Sequence, residues 1–452
     1  MLRDRHNLYS YFTELANSLA SSKGMVGLVV PTGIVTDKSN IFFAQYLLKG
    51  RLVSLYDYDN KHKIFPIHQS YRFSGLTIGG GGKNDFVFYI QSLRDVDDKR
   101  RHLEFESGDI SLMNPNTLTV PIVRTHRDMD LLRKLYSKAP VLLLEDDRKY
   151  ANPWNYSSMS MFHSTQDSSI LHKHPFDGSV QAYESKLIHQ YDYCYATFEN
   201  KGPNELVRRY LDDNEKNDQS CFVNTQYYVD PAEVRKRYQI KGWTKEWALI
   251  FRRVGRPTDI RTLIATVVPS NIGLVNTCYC ILTEVDPVKA ACLLANLNSL
   301  VLDYCLRLKQ SGADVTYGLV NQLPILPPDS YSKAEMDFIV VRVAKLTRNH
   351  DVINKVWLTD YPEYPFGTAE SRLEIRAELD ALYAKKYGLN RADLEFVLDP
   401  SEAESPDYPS ETFPVLKNKE LKRYGEFRTR RLVLEAFDKL EKYGLEGFES
   451  AK

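Results

Sequence analysis

Between Lys61 and Ile78 the chain reads Lys-His-Lys-Ile-Phe-Pro-Ile-His-Gln-Ser-Tyr-Arg-Phe-Ser-Gly-Leu-Thr-Ile. Lys61, Lys63, His68 and Arg72 surround one aromatic ring, Phe65, with cationic side chains. Pro66 biases Phe65 toward an extended backbone, which projects its ring away from the chain. A ring on a stiff cationic loop suits stacking against a base drawn out of a duplex, with the cations on phosphate. A core phenylalanine ahead of a strand is the other reading of the same residues, and both stand at this point. A second basic stretch, Pro231 to Arg261, holds nine Lys/Arg against three Asp/Glu, with Tyr238, Trp243, Trp247 and Phe251 between them. It reads equally as a phosphate-contacting strip, with Arg252, Arg253 and Arg256 on DNA, or as a solvated helix face over a buried tryptophan seam.

Other motifs lead less far. The tetraglycine Gly79–Gly82 precedes Lys83, but Asn84 stands where a phosphate loop needs Ser or Thr, and the G-x-x-x-x-G spacing is missing. It reads as a turn between two strands. The six cysteines, Cys194, Cys221, Cys278, Cys280, Cys292 and Cys305, include no Cys-x-x-Cys pair. They read as free buried thiols of a cytoplasmic protein, with a metal site from the last four as the minor alternative. No apolar run approaches the roughly 18 residues of a membrane span, and the start, Met1 to His6, has no apolar targeting core. Lys+Arg and Asp+Glu balance at 59 each, so no global field draws in nucleic acid and any polyanion site needs local segregation of charge.

The elements that must position these residues follow from periodicity. Leu8, Phe12, Leu15 and Leu19 recur at helical spacing, and Met25 to Val30 reads as a buried strand closed by Pro31-Thr32-Gly33. A helix over 39–48 and strands over 52–58, 71–78 and 86–90 complete an α/β pattern, with a sheet parallel at least in part. The pattern opens on a helix, where a doubly wound sheet normally opens on a strand and a glycine-rich turn. Residues 95–108 and 393–407 are charged and expected to be loose. From about Val120 to Pro328, short apolar runs between Asn, Pro, Gly and Asp predict a second, mixed domain. Helices are expected over 290–309, 332–349, 371–386 and 423–442.

With these elements placed, the chain resembles the large adenine-specific DNA methyltransferases of type IIG restriction–modification and phage-defence systems. The resemblance lies in Gly27–Val35 after the first helix, in Lys61–Ile78, and in Tyr183–Asp192 with Lys186 among them. It continues through Arg261–Pro269, Asn321–Pro328, Arg376–Asp380, Tyr387–Leu389 and Tyr424–Arg430. The resemblance implies a partial doubly wound (Rossmann-like) methyltransferase sheet over 1–120 and a target-recognition domain over 121–330. A helical C-terminal region would occupy 331–452. It assigns Phe65, braced by Pro66, to the adenine-stacking position, makes double-stranded DNA the partner, adds Lys186 to the DNA contacts, and makes S-adenosylmethionine the cofactor of the complete enzyme.

The departures matter as much. The cofactor-binding glycine motif is absent, and so is the catalytic Asn/Asp/Ser-Pro-Pro-Tyr/Phe tetrapeptide. Asn114-Pro115-Asn116 and Asn152-Pro153-Trp154 lack the second proline and follow the methyltransferase-like strands. Ser185 and Cys194 stand where the recognition signature has Gly and a basic residue. Amine methylation needs acceptors for the target amine and a donor held in reach, and losing that positioning forfeits roughly 7–11 kcal/mol of barrier lowering. The expectation is a C-terminal portion, inactive alone, that works with an upstream subunit carrying the missing motifs. A non-catalytic DNA-specificity subunit, or an interaction protein of a defence complex with no DNA contact, are the rival readings.

Overall fold

The computed structural model describes residues 7–450 except 69–70, 81–82, 147–148, 203–204, 219, 221 and 311. Met1 to His6, Gln69, Ser70, Gly81, Gly82 and Cys221, all used in the sequence reading, lie outside the described residues. The chain is mixed α/β, with several small sheets and 17 α-helices among the described residues. It divides into two compact units, Met1–Ala151 with Pro400–Glu411, and Asn152–Asp399 with Thr412–Lys452. Contacts therefore pool residues 121–151 with the first segment, and most of 331–452 with the central one. The division at 120 and 330 is one of role and returns with the proposed function.

The first unit contains α1 (Leu8–Leu19), β1 (Val26–Pro31), α2 (Gly33–Thr36), α3 (Ile41–Leu48), β2 (Leu52–Asp59), β3 (Arg72–Ile78) and β4 (Asp85–Ile90). Then come α4 (Ser107–Met113), α5 (His126–Lys138), and the short pair β5 (Leu144–Asp146) and β6 (Lys149–Ala151). The sheet order is β1-β3-β2-β4. Strand β3 runs antiparallel to both β1 and β2, while β2 and β4 are parallel, so the sheet is parallel in part as the helix–strand alternation requires. Leu55, Leu76, Ile78, Phe86, Phe88 and Ile90 are almost fully buried and form its core. Residues 95–108, expected to be loose, are ordered instead. Two 3₁₀ turns there are held by Asp98 on Arg100 and by His102 Nδ1 at 2.9 Å from Asp85. Local charge partners, invisible to composition, fix this segment.

The second unit runs through β7 (Tyr156–Met159), β8 (Val180–Tyr183), β9 (Ala196–Gly202), β10 (Glu205–Tyr210), α6 (Asp213–Asn217), β11 (Tyr227–Val229) and α7 (Pro231–Ile240). It continues with β12 (Trp247–Arg252), β13 (Ala265–Pro269), β14 (Gly273–Leu274), β15 (Cys278–Thr283), α8 (Pro287–Asn298), α9 (Leu300–Arg307) and α10 (Tyr317–Val320). The remaining helices are α11 (Lys333–Thr347), α12 (Asp351–Asn354), α13 (Ala369–Lys386), α14 (Arg391–Leu398), α15 (Pro400–Ala403, which belongs to the first unit), α16 (Pro414–Tyr424) and α17 (Arg428–Tyr443).

Its core sheet is β13-β12-β15-β7, apolar on both faces, and α8 is buried along nearly its whole length. The helix expected over 290–309 is two. Ser299 leaves helical geometry at ψ 147°, and its Oγ accepts from Leu302 N–H to start α9. The break puts Asn298 where its amide bonds both Ala265 N–H and C=O at 3.0 Å. Residues 393–407 also depart from expectation. Asn390 and Asp393 form a capping box for α14, so their acidic content marks a helix start and not disorder.

Candidate nucleic-acid interface

The loop between β2 and β3 is clamped from within. Asn60, fully buried, donates from Nδ2 to the carbonyls of Phe65 (3.0 Å) and Ile67 (3.2 Å) and accepts the Phe65 N–H at 2.9 Å. Lys63 takes the left-handed conformation at φ 53° that turns the chain back. The Phe65 ring stands 42% exposed and lies 5.2 Å from Phe73, which in turn stacks on Tyr58 at 5.0 Å. Ile64 and Ile67 flank it in the open, and Lys61, Lys63, Pro66 and His68 are exposed around it. The buried-core alternative for Phe65 is therefore excluded: the ring is an outward platform at the end of an aromatic row. A fixed, half-exposed ring rimmed by cations loses little entropy when a planar partner stacks on it.

Arg72 points elsewhere. Its guanidinium pairs with Asp57, which is fully buried, and lies 4.2 Å from the Tyr89 ring centroid. Asp57 also accepts from Thr32 Oγ1 (2.6 Å) and from Tyr89 N–H (3.1 Å), and Thr32 bonds Ser74 at 2.8 Å. The pair raises the Arg72 pKa further, against its burial, so this guanidinium is a tie between β2 and β3 and is not presented to solvent. Tyr89 itself has φ 57°, a costly conformation for a tyrosine, and Arg124 covers its ring at 4.6 Å. This node was missed in the sequence. Its one signal is Asp57, an acid between two tyrosines near the end of strand β2.

In the second unit, the basic stretch resolves in favour of a buried seam. Tyr238, Trp243, Trp247 and Phe251 are all buried, Trp243 meets Trp247 edge-on at 5.8 Å, and Trp247 meets Trp357 at 4.7 Å. Their rings are unavailable to bases. Lys245 is spent on the carbonyls of Thr283 and Val285. Arg252 is half-buried, donates to the Ile188 carbonyl, and has its pKa lowered by that burial. Arg253 pairs with Asp314 at 3.1 Å, and Arg256 is exposed. Lys186 is partly exposed, 3.5 Å from Glu184 and 4.9 Å from the Phe198 ring.

The sequence reading also missed the β9–β10 hairpin. Leu206, Arg208 and Tyr210 alternate outward there, with Arg208 bonded to the Tyr210 hydroxyl at 3.1 Å. Tyr210 lies 5.1 Å from Tyr195, whose ring also faces Arg252 and Lys216. The alternating Arg-x-Tyr of this short strand could have revealed it.

For a cofactor or metal the residues offer little. Among the described residues no cluster of His, Cys, Asp or Glu could hold a metal ion, and Cys278, Cys280, Cys292 and Cys305 are buried free thiols whose pKa values burial pushes up. In the turn after β1, an added Cβ at Gly33 would lie 2.3 Å from the Asp37 carboxylate, so this glycine serves close packing.

No family model matches the sequence, and no curated protein is similar to it. Among solved structures, a Type IIL restriction-modification enzyme, MmeI, in complex with DNA is similar at 10% identity and a TM-score of 0.38, covering 84% of this chain and 48% of that one. The type IIG restriction endonuclease BpuSI is similar at 12% identity and a TM-score of 0.28, covering 86% and 50%. The chain spans about half the length of each. At these TM-scores the likenesses decide neither fold nor activity.

Proposed function

We propose that this chain supplies DNA recognition, and one stacking face for a flipped adenine, to a site-specific adenine-N6 DNA methyltransferase of a restriction–modification or phage-defence system. Residues 1–120 are then the C-terminal part of a doubly wound catalytic domain, 121–330 read the target and 331–452 brace it. S-adenosylmethionine and the amine acceptors come with an upstream polypeptide. The observation that carries the reading is Phe65, half-exposed on a loop that Asn60 clamps by its backbone and that also exposes Lys61 and Lys63. The test is Phe65→Ala in the reconstituted complex. Base stacking of this kind is worth roughly 1–3 kcal/mol, so methylation is expected to fall about 5- to 150-fold. The melting temperature stays close to wild type because the ring is exposed. Undiminished methylation would remove Phe65 from the reaction.

The first unit also carries a face that fits such a partner. Helix α1 is inverted: Ser10 and Thr13 are buried, Ser10 bonding Asn40 at 2.8 Å, while Leu8, Phe12, Leu15 and Leu19 face outward. Met25 and Val29 add to that apolar surface, and β1 is a sheet edge that pairs only with β3 among the described residues. An apolar helix face beside an open strand edge is a surface that a strand-donating α/β polypeptide covers. The double variant Leu15→Glu/Leu19→Glu is expected to shift the chain's own stability by no more than about 0.5 kcal/mol. Co-elution with the upstream neighbour's product should be lost. Retained co-elution would place the partner elsewhere.

A further inference from the structure

A cavity of about 220 Å³ opens in the second unit, between the Tyr183–Asp192 segment and helices α13 and α16. Its walls are of two kinds. Tyr191, Leu373 and Leu416 make one side apolar, while Arg376, Lys419 and Arg423 bring cations to the other. The Arg376 side chain makes neither a hydrogen bond nor an ion pair among the described residues, although it is half-buried. Lys419 and Arg423 are exposed at the rim.

The acids of the cavity are already engaged. Glu420 accepts from the Thr429 N–H (2.7 Å) and hydroxyl (2.6 Å), and Asp380 accepts the Leu300 N–H at 2.7 Å. Arg261 is likewise paired, its Nε 2.8 Å from Asp303. His189 is held neutral by burial and by its cationic neighbours Arg252, Arg376, Lys216 and Arg261. With Arg261 neutralised by Asp303, Arg376, Lys419 and Arg423 stand against Asp380 and Glu420, three positive charges facing two negative ones, an excess of one. Burial lowers the Arg376 pKa and Arg261 beside it adds repulsion, while Asp380, Tyr191 and Asp192 oppose that shift. Asp380 attracts the Arg376 guanidinium but makes no ion pair with it among the described residues, and an anionic ligand in direct contact would offset more of the cost of burial.

We infer that this cavity binds a small phosphorylated molecule of the nucleoside monophosphate class, its phosphate on Arg376, Lys419 and Arg423 and its flat body against Tyr191, Leu373 and Leu416. The volume lies below the ~300 Å³ at which pockets for larger ligands begin, which favours a compact ligand. The site lies apart from the Phe65 loop in sequence and belongs to the second unit alone, so it stands whether or not Phe65 stacks a base.

The experiment is isothermal titration of the full chain with adenosine 5′-monophosphate, adenosine and inorganic phosphate, repeated on two variants. Arg376→Met keeps the reach of the side chain without its charge. The exposed pair Lys419→Ser/Arg423→Ser guards against a folding defect, since neither residue is packed. Adenosine is expected to bind at least about tenfold more weakly than the monophosphate, and each variant to lose about tenfold or more. Equal binding of adenosine, no binding of the monophosphate, or full affinity in both variants would overturn the assignment. So would displacement of the monophosphate by a short duplex whose own affinity falls equally in the variants, because the cavity would then seat a DNA phosphate.

Discussion

Incubated alone with duplex DNA and tritium-labelled S-adenosylmethionine, the chain is expected to transfer no label, and the product of the adjacent upstream frame is expected to restore transfer. The reasoning is geometric. N6 methylation demands that an amine, its hydrogen-bond acceptors and a sulfonium methyl be held in line, and effective molarities for such positioning reach 10⁵–10⁸ M. The sequence contains neither the glycine motif for the donor nor the Pro-Pro tetrapeptide for the amine. A single stacking ring contributes about two orders of magnitude at most, so Phe65 cannot compensate. Scintillation counting of the DNA reads the result directly. Full turnover by the isolated chain would refute the division of labour proposed here. Restored transfer that is insensitive to Phe65→Ala would keep the partner and discard the stacking role.

The largest effect on stability is expected at Asp303. Its carboxylate is fully buried, lies 2.8 Å from Arg261 Nε and 3.2 Å from Arg307 Nε, and accepts the Thr262 N–H at 3.1 Å. Arg307 in turn donates to the carbonyls of Pro257, Asp259, Ile260 and Thr412, so one anion holds a guanidinium that ties four backbone positions together. Asp303→Ala leaves two buried cations without their anion and should cost roughly 3–5 kcal/mol. In a unit of this size that lowers the melting temperature on the order of 10 °C, read by circular dichroism. Asp303→Asn preserves shape and one acceptor but not charge. It is expected to recover less than half of the loss. An asparagine variant as stable as wild type would show that hydrogen bonding, and not ion pairing, holds this node.

Periodicity carried much of the first unit. The strand alternation at 71–78, the apolar run at 86–90 and the 3.6-residue spacing at 8–19 are local properties, so they are readable in a single sequence and appear as β3, β4 and α1. The α11 and α13 helices were readable for the same reason. The exposure of Phe65 was not decided in the sequence: Pro66 and the polar residues around it allowed an outward ring, but a core phenylalanine fitted the same residues, and only the fold left the residue 42% exposed.

Direction was not local. The apolar stripe of α1 was visible, but only the fold decided that it faces outward while Ser10 meets Asn40, thirty residues away. Arg72 looked like a phosphate contact until β2 and β3 paired and placed Asp57 beneath it. The tryptophans at 243 and 247 looked like stacking rings until the packing of β12 against its neighbours buried them. A sequence specifies what each side chain can do. Which partner reaches it first depends on contacts between distant segments, and the free energy of those contacts exists only once the chain has closed on itself.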